Sequence, residues 1–145
     1  MLQIYPDEGL VSMLLSIVDN NSLGLTWALY SNDVSPNLDS VLTDFTLINS
    51  SWAQRILTAG DFSYQQVALH IGTIQADAIA FVNTSGSTKT AYGYVVFNQH
   101  DSQLVAAARF DDAPETVLNT KCVRVSPIIG DHSASLTPII DGGTF

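Results

Sequence analysis

Apolar positions along this chain follow two periods. Leu10, Met13, Leu14, Ile17 and Val18 recur at spacings of three and four, which is one stripe of an amphipathic helix. Pro6 suits the first helical turn, and Asp7 and Glu8 complement the positive end of a helix dipole. The spacing predicts a helix over residues 6–18, stopped by Asp19-Asn20-Asn21. Its stripe faces either the body of the protein or a partner.

From Leu23 the period becomes two. Leu23, Leu25, Trp27 and Leu29 alternate with Gly24, Thr26, Ala28 and Tyr30, which predicts a half-buried strand. Ser31 to Asn37 is dense in turn formers. Leu38 to Asp44 reads as a helical turn or an irregular connection. Short strands are predicted over Phe45 to Ile48, Trp52 to Leu57, Phe62 to Ile71 and Ile74 to Val82. Ala59-Gly60-Asp61 is a turn, and Asn83 to Thr88 a loop. Ala91 to Asn98 and Leu104 to Phe110 form a hairpin about Gln99 to Ser102. Its first arm sets Tyr92, Tyr94 and Val96 on one face, with Val95 and Phe97 on the other. Asp111-Asp112-Ala113-Pro114 breaks the second arm, and Thr116 to Ser126 is the last long strand. Seven to nine short strands with regular turns predict a mainly β chain. The fold class is an antiparallel β-sandwich or jelly-roll-like barrel with one N-terminal helix.

One β-rich domain is expected over residues 1–127, followed by a tail over residues 128–145. The tail carries the apolar pairs Ile128-Ile129 and Ile139-Ile140 among Pro and Gly. It reads as an extended edge strand or as an arm that docks on a neighbour.

Charge narrows the classes of partner. The charged fraction is 13%, against a usual ~25%, so much of the surface is neutral and cheap to desolvate. That favours contact with other protein chains, and it equally fits a neutral extracellular surface. The net charge is −9, and Arg55, Lys89, Arg109, Lys121 and Arg124 are scattered, which argues against nucleic acid and against an anionic membrane surface. No run approaches the ~20 apolar residues of a membrane span. No Lys or Arg precedes the N-terminal apolar stretch, so it does not read as a signal peptide. Cys122 is alone and reads as a small strand residue.

Candidate chemistry is sparse. Asp111 and Asp112 are adjacent, so on a strand they would point to opposite faces, and a turn explains them better. Asp33, Asp39 and Asp44 lack the spacing of a calcium loop, although they mark the one region where a weak calcium site would fall. His70, His100 and His132 have no ligand spacing, with His100 in the hairpin turn. Trp27, Trp52 and the tyrosines read as core or interface aromatics, with a carbohydrate site as the alternative. Arg109 is placed to pair with Asp111, with Asp112 or with a carboxylate of a neighbouring subunit. No cofactor and no catalytic residue is expected, and the chain reads as a non-enzyme.

Two stretches have a distinctive texture. One is Trp27-Ala28-Leu29-Tyr30-Ser31-Asn32-Asp33-Val34-Ser35-Pro36 with Val41-Leu42-Thr43-Asp44-Phe45-Thr46. The other is Ala91-Tyr92-Gly93-Tyr94-Val95-Val96 with Leu104 to Phe110 and the Asp111-Asp112-Ala113-Pro114 turn. Through them, over residues 25–57 and 91–127, the chain resembles small proteins encoded among the structural genes of tailed bacteriophages. Where those proteins continue the first stretch into Gly-Tyr, this chain has Ser51-Trp52. The resemblance implies a virion component with a β-sandwich body, assembled in the host cytoplasm. Its expected role is a self-associating head decoration or accessory capsid subunit. Its expected partners are further copies of itself and other virion proteins such as the major capsid protein. The candidate interface residues are Arg109, Asp111, Asp112, Ile128, Ile129, Ile139 and Ile140. The alternative is a carbohydrate- or receptor-binding β-sandwich of a tail fibre or adhesin.

Overall fold

The computed structural model describes residues 24–68 and 71–130. The expected helix over residues 6–18 lies outside them, as do His70, His132, Ile139 and Ile140. The described chain is mainly β. Its strands are β1 (Leu25–Tyr30), β2 (Gln54–Leu57), β3 (Phe62–Ala68), β4 (Ile71–Ala76), β5 (Ile79–Val82), β6 (Lys89–Ala91), β7 (Gly93–Asn98), β8 (Gln103–Arg109), β9 (Glu115–Val117), β10 (Cys122–Val125) and β11 (Ile128–Gly130).

They form four antiparallel sheets, ordered β2-β1-β7-β8, β11-β4-β3, β10-β5 and β6-β9. Among the described residues no barrel closes: β2 and β8 remain the two edges of the largest sheet. The barrel alternative is therefore corrected.

β1 departs from the half-buried expectation, because every residue from Leu25 to Tyr30 is buried. The cause is two apolar clusters, one on each face. Leu25, Trp27 and Leu29 join Tyr94 and Val96 of β7, Ile79 and Phe81 of β5, and Val123 and Val125 of β10 in the main core. Ala28 and Tyr30 join Val95, Phe97 and Phe45 on the other face, closed by Val34, Leu42 and Leu47. The connection after β1 covers the second face of its own sheet. Tyr30 and Phe45 meet edge to face at 4.9 Å, a geometry that adds about 0.5–1.5 kcal/mol beyond burial.

Several expected strands are divided. Phe45 to Ile48 makes only the single bridge Leu47–Tyr30, and Ser51–Ala53 is a 3-10 turn before β2. Leu42–Asp44 is also a 3-10 turn, with Asp44 accepting from the Val41 N–H at 2.8 Å. Ala59–Asp61 repeats this design, Asp61 accepting from the Thr58 N–H at 2.7 Å. Gly72 and Thr73 lie inside β4, and the chain breaks at Asp77-Ala78 instead. Tyr92 separates β6 from β7, so its ring packs with Val95 and Phe97 instead of with Tyr94 and Val96.

Thr116 to Ser126 is two strands in two sheets. The break at Leu118 to Lys121 has Thr120 in the left-handed region at φ 70. Asn83 holds it: the Thr120 N–H donates to the Asn83 carbonyl, and the Asn83 N–H to the Lys121 carbonyl, both at 2.8 Å. The fully buried Asn83 side chain also donates to the carbonyls of Ser87 and Val117, at 2.7 and 2.8 Å.

Ile128–Gly130 pair with β4, so residues 128–130 of the expected tail take the edge-strand course.

Candidate interaction surface

The residues that gave the two stretches their texture meet in space. β1 and β7 pair with Tyr30 opposite Gly93, and a Cβ on Gly93 would stand 2.7 Å from the Tyr30 hydroxyl. The glycine is there because the ring of Tyr30 lies over it. Tyr30 in turn donates its hydroxyl to the Val34 carbonyl at 3.1 Å, which fixes the start of the next loop. Burial pushes the Tyr30 phenol up to about 12; the Arg109 guanidinium works in the lowering direction, and Asp33 adds to the rise. At neutral pH it stays protonated and acts as a hydrogen-bond donor.

Asn32 and Asp33 have separate tasks. The Asn32 amide donates to the Asp44 carbonyl at 2.9 Å, and its oxygen accepts from the Thr46 N–H at 2.7 Å. Asp33 forms an ion pair with Arg109 at 2.6 Å. Arg109 also donates to the Val34 carbonyl at 3.3 Å and stacks 5.2 Å above the Tyr92 ring. The guanidinium thus clamps the Asp33-Val34 loop onto the end of β8, a partner the sequence reading did not assign to it. Asp33 is 70% exposed, so the pair itself contributes roughly 0–1 kcal/mol. The stacking adds about 0.5–1 kcal/mol.

Two grooves flank this clamp. One, of about 440 Å³, runs between Pro36 to Ser40 and the β8 residues Leu104 to Ala107. Leu38 stands at its rim, fully exposed. The other, of about 470 Å³, is lined mainly by hydroxyl and amide side chains, among them Ser31, Asn49, Ser85, Thr88 and Thr90, with Lys89 as its cation.

The expected interface residues are not gathered in one place. Arg109 is partly buried in the clamp, and Asp111 and Asp112 are exposed in the turn after β8. Ile128 and Ile129 lie on β11, with Ile129 packed on the main core. Asp33, Asp39 and Asp44 do not converge either, since Asp33 serves Arg109 and Asp44 caps Val41. Among the described residues no group of three His, Cys, Asp or Glu is placed to hold a metal ion. His100 is exposed in the hairpin turn, its N–H bound to Asn98 Oδ1, and Cys122 is exposed at the start of β10. No described helix is long and apolar enough to cross a membrane. Sequence reasoning missed Leu38 and Val105, because a single apolar residue in a loop or at an edge carries no periodic signal.

Comparison of the chain with family models, curated proteins and solved structures finds no match.

Proposed function

We infer that this chain is a non-enzymatic structural protein of a tailed-phage virion, a head decoration or accessory capsid subunit that associates with itself and with other virion proteins. One observation carries the reading. The two segments of phage-like texture supply β1, β2, β7 and β8, all four strands of one sheet. Their distinctive residues are spent on each other: Tyr30 on Gly93, Asp33 on Arg109, Asn32 on Asp44 and Thr46. A texture that encodes a scaffold suits a subunit that works through its surface. The charge balance supports it too, since a neutral surface is buried against neighbours at modest cost.

The body is a β-sandwich in this reading. Its support is the main core, where Trp27 and Val96 of the large sheet pack with Phe81 and Val123 of a smaller one.

The hydroxyl-lined groove at Ser31, Asn49 and Thr90 favours a second reading, a glycan- or receptor-binding module. None of its lining residues is aromatic, so it lacks the stacking platform that a sugar ring uses.

The test is binding of the purified chain to particles assembled without it. Saturable binding at a fixed ratio to the main shell protein is expected. A chain that ignores such particles and is retained by an immobilised glycan belongs to the second reading.

A further inference from the structure

We propose that β8 is the strand through which two copies of this chain join, its outer edge pairing antiparallel with β8 of the second copy. The inference rests on the self-association in the reading above and names the surface responsible.

The two edges of the large sheet differ. β2 carries Arg55 in its middle, an exposed charge of the kind that keeps sheet edges from pairing. β8 has no charged side chain from Gln103 to Ala108, and no described strand covers its outer side. A row of backbone donors and acceptors without a charged guard is a template for strand addition.

The occupant follows from charge. Copies of a chain with net charge −9 repel unless they meet where carboxylates are absent. No Asp or Glu occurs from Ser102 to Phe110. An antiparallel register centred between Ala107 and Ala108 sets Arg109 opposite Ala106 of the other copy and leaves Asp101, Asp111 and Asp112 each opposite an uncharged residue, so no like charges face each other. A cationic partner would find nothing to pair with on this strip, whereas a second neutral strip fits it.

The surroundings set the extent of the contact. Between Val96 and Phe97 of β7 the β8 register shifts, leaving Val105 as the extra residue of a bulge, 38% exposed. The bulge limits regular pairing to the Ala106 to Arg109 half. The fully exposed Leu38 stands at the rim of the groove along Leu104 to Ala107. Leu38 thus stands beside the strand that carries the proposed contact, and in that contact it is the apolar side chain buried against the second copy.

Sedimentation velocity of the full chain tests this, with circular dichroism as the check on folding. The chain is expected to dimerise or assemble further at micromolar concentration. Val105→Lys, which guards the edge, and Leu38→Asp, in an exposed loop, should each weaken association at least tenfold. Ile56→Lys on the β2 edge should leave it unchanged. If Val105→Lys does not fold, Leu38→Asp alone decides. Association that survives the β8 and Leu38 changes, or that is lost with Ile56→Lys, overturns the proposal and leaves the virion reading standing. A chain that stays monomeric yet binds particles does the same. A monomer that also ignores particles overturns both.

Discussion

Gly93→Ala is expected to destabilise the protein by about 3 kcal/mol, the upper range for forcing atoms into a packed site. A Cβ at this position runs into the Ala108 carbonyl oxygen on β8 and stands 2.7 and 2.8 Å from the hydroxyl and ring of Tyr30. Neither neighbour has room to give. The carbonyl belongs to the ladder between β7 and β8, and Tyr30 is fully buried against Phe45 with its hydroxyl tied to Val34. The thermal midpoint should fall by about 10 °C. Gly60→Ala is the control, since nothing lies within 4 Å of a Cβ there and the backbone is in an ordinary region. It should be neutral or slightly stabilising. Equal midpoints for the two variants would mean that the Tyr30–Gly93 contact does not organise the sheet.

Asn83→Asp changes one atom and is expected to cost about 4 kcal/mol, because it leaves an uncompensated charge in the interior. Asn83 is fully buried, and its amide nitrogen donates to two carbonyls, those of Ser87 and Val117. The introduced carboxylate would face both oxygens with acceptors only. The loss should shrink at acid pH, where the carboxyl is protonated and donates once. As pH rises through its elevated pKa, the penalty returns in full. Asn119→Asp keeps the oxygen that accepts from the Gly86 N–H in an exposed loop, so its effect should stay within about 0.5 kcal/mol. Urea denaturation of the three proteins at pH 4 and pH 7 reads this out.

These two positions also mark what was legible in the sequence. The alternation from Leu25 to Tyr30 placed β1, and the turn formers placed the hairpin of β7 and β8. Both signals are local. What failed was decided by distant partners. Thr116 to Ser126 alternates like one strand, and the turn at Thr120 is held by the distant clasp from Asn83 together with its own Lys121 to Leu118 bond. Tyr92 alternates with Tyr94, yet a change of sheet between them sends its ring to the opposite cluster. β1 looked half-buried because the loop that covers its polar-spaced face, Ser31 to Leu47, gives no periodic sign that it folds back.

The candidate surface was less legible for the same reason. Arg109 drew attention beside Asp111 and Asp112, the nearest carboxylates in sequence. Its ion pair with Asp33 spans most of the domain and depends on β8 and the loop after β1 sharing a face of the sheet. Asn32 and Asp33 read as turn formers, and Asp33 also as part of a weak calcium region, although each holds a different element in place.

The virion reading is tested most directly by the copy number of this chain in purified particles made by the genome that encodes it. Quantitative mass spectrometry against the main shell protein measures that number. A fixed stoichiometric ratio, unchanged through a density gradient and a high-salt wash, is the expected result. A chain abundant in the infected cell and missing from washed particles would contradict it.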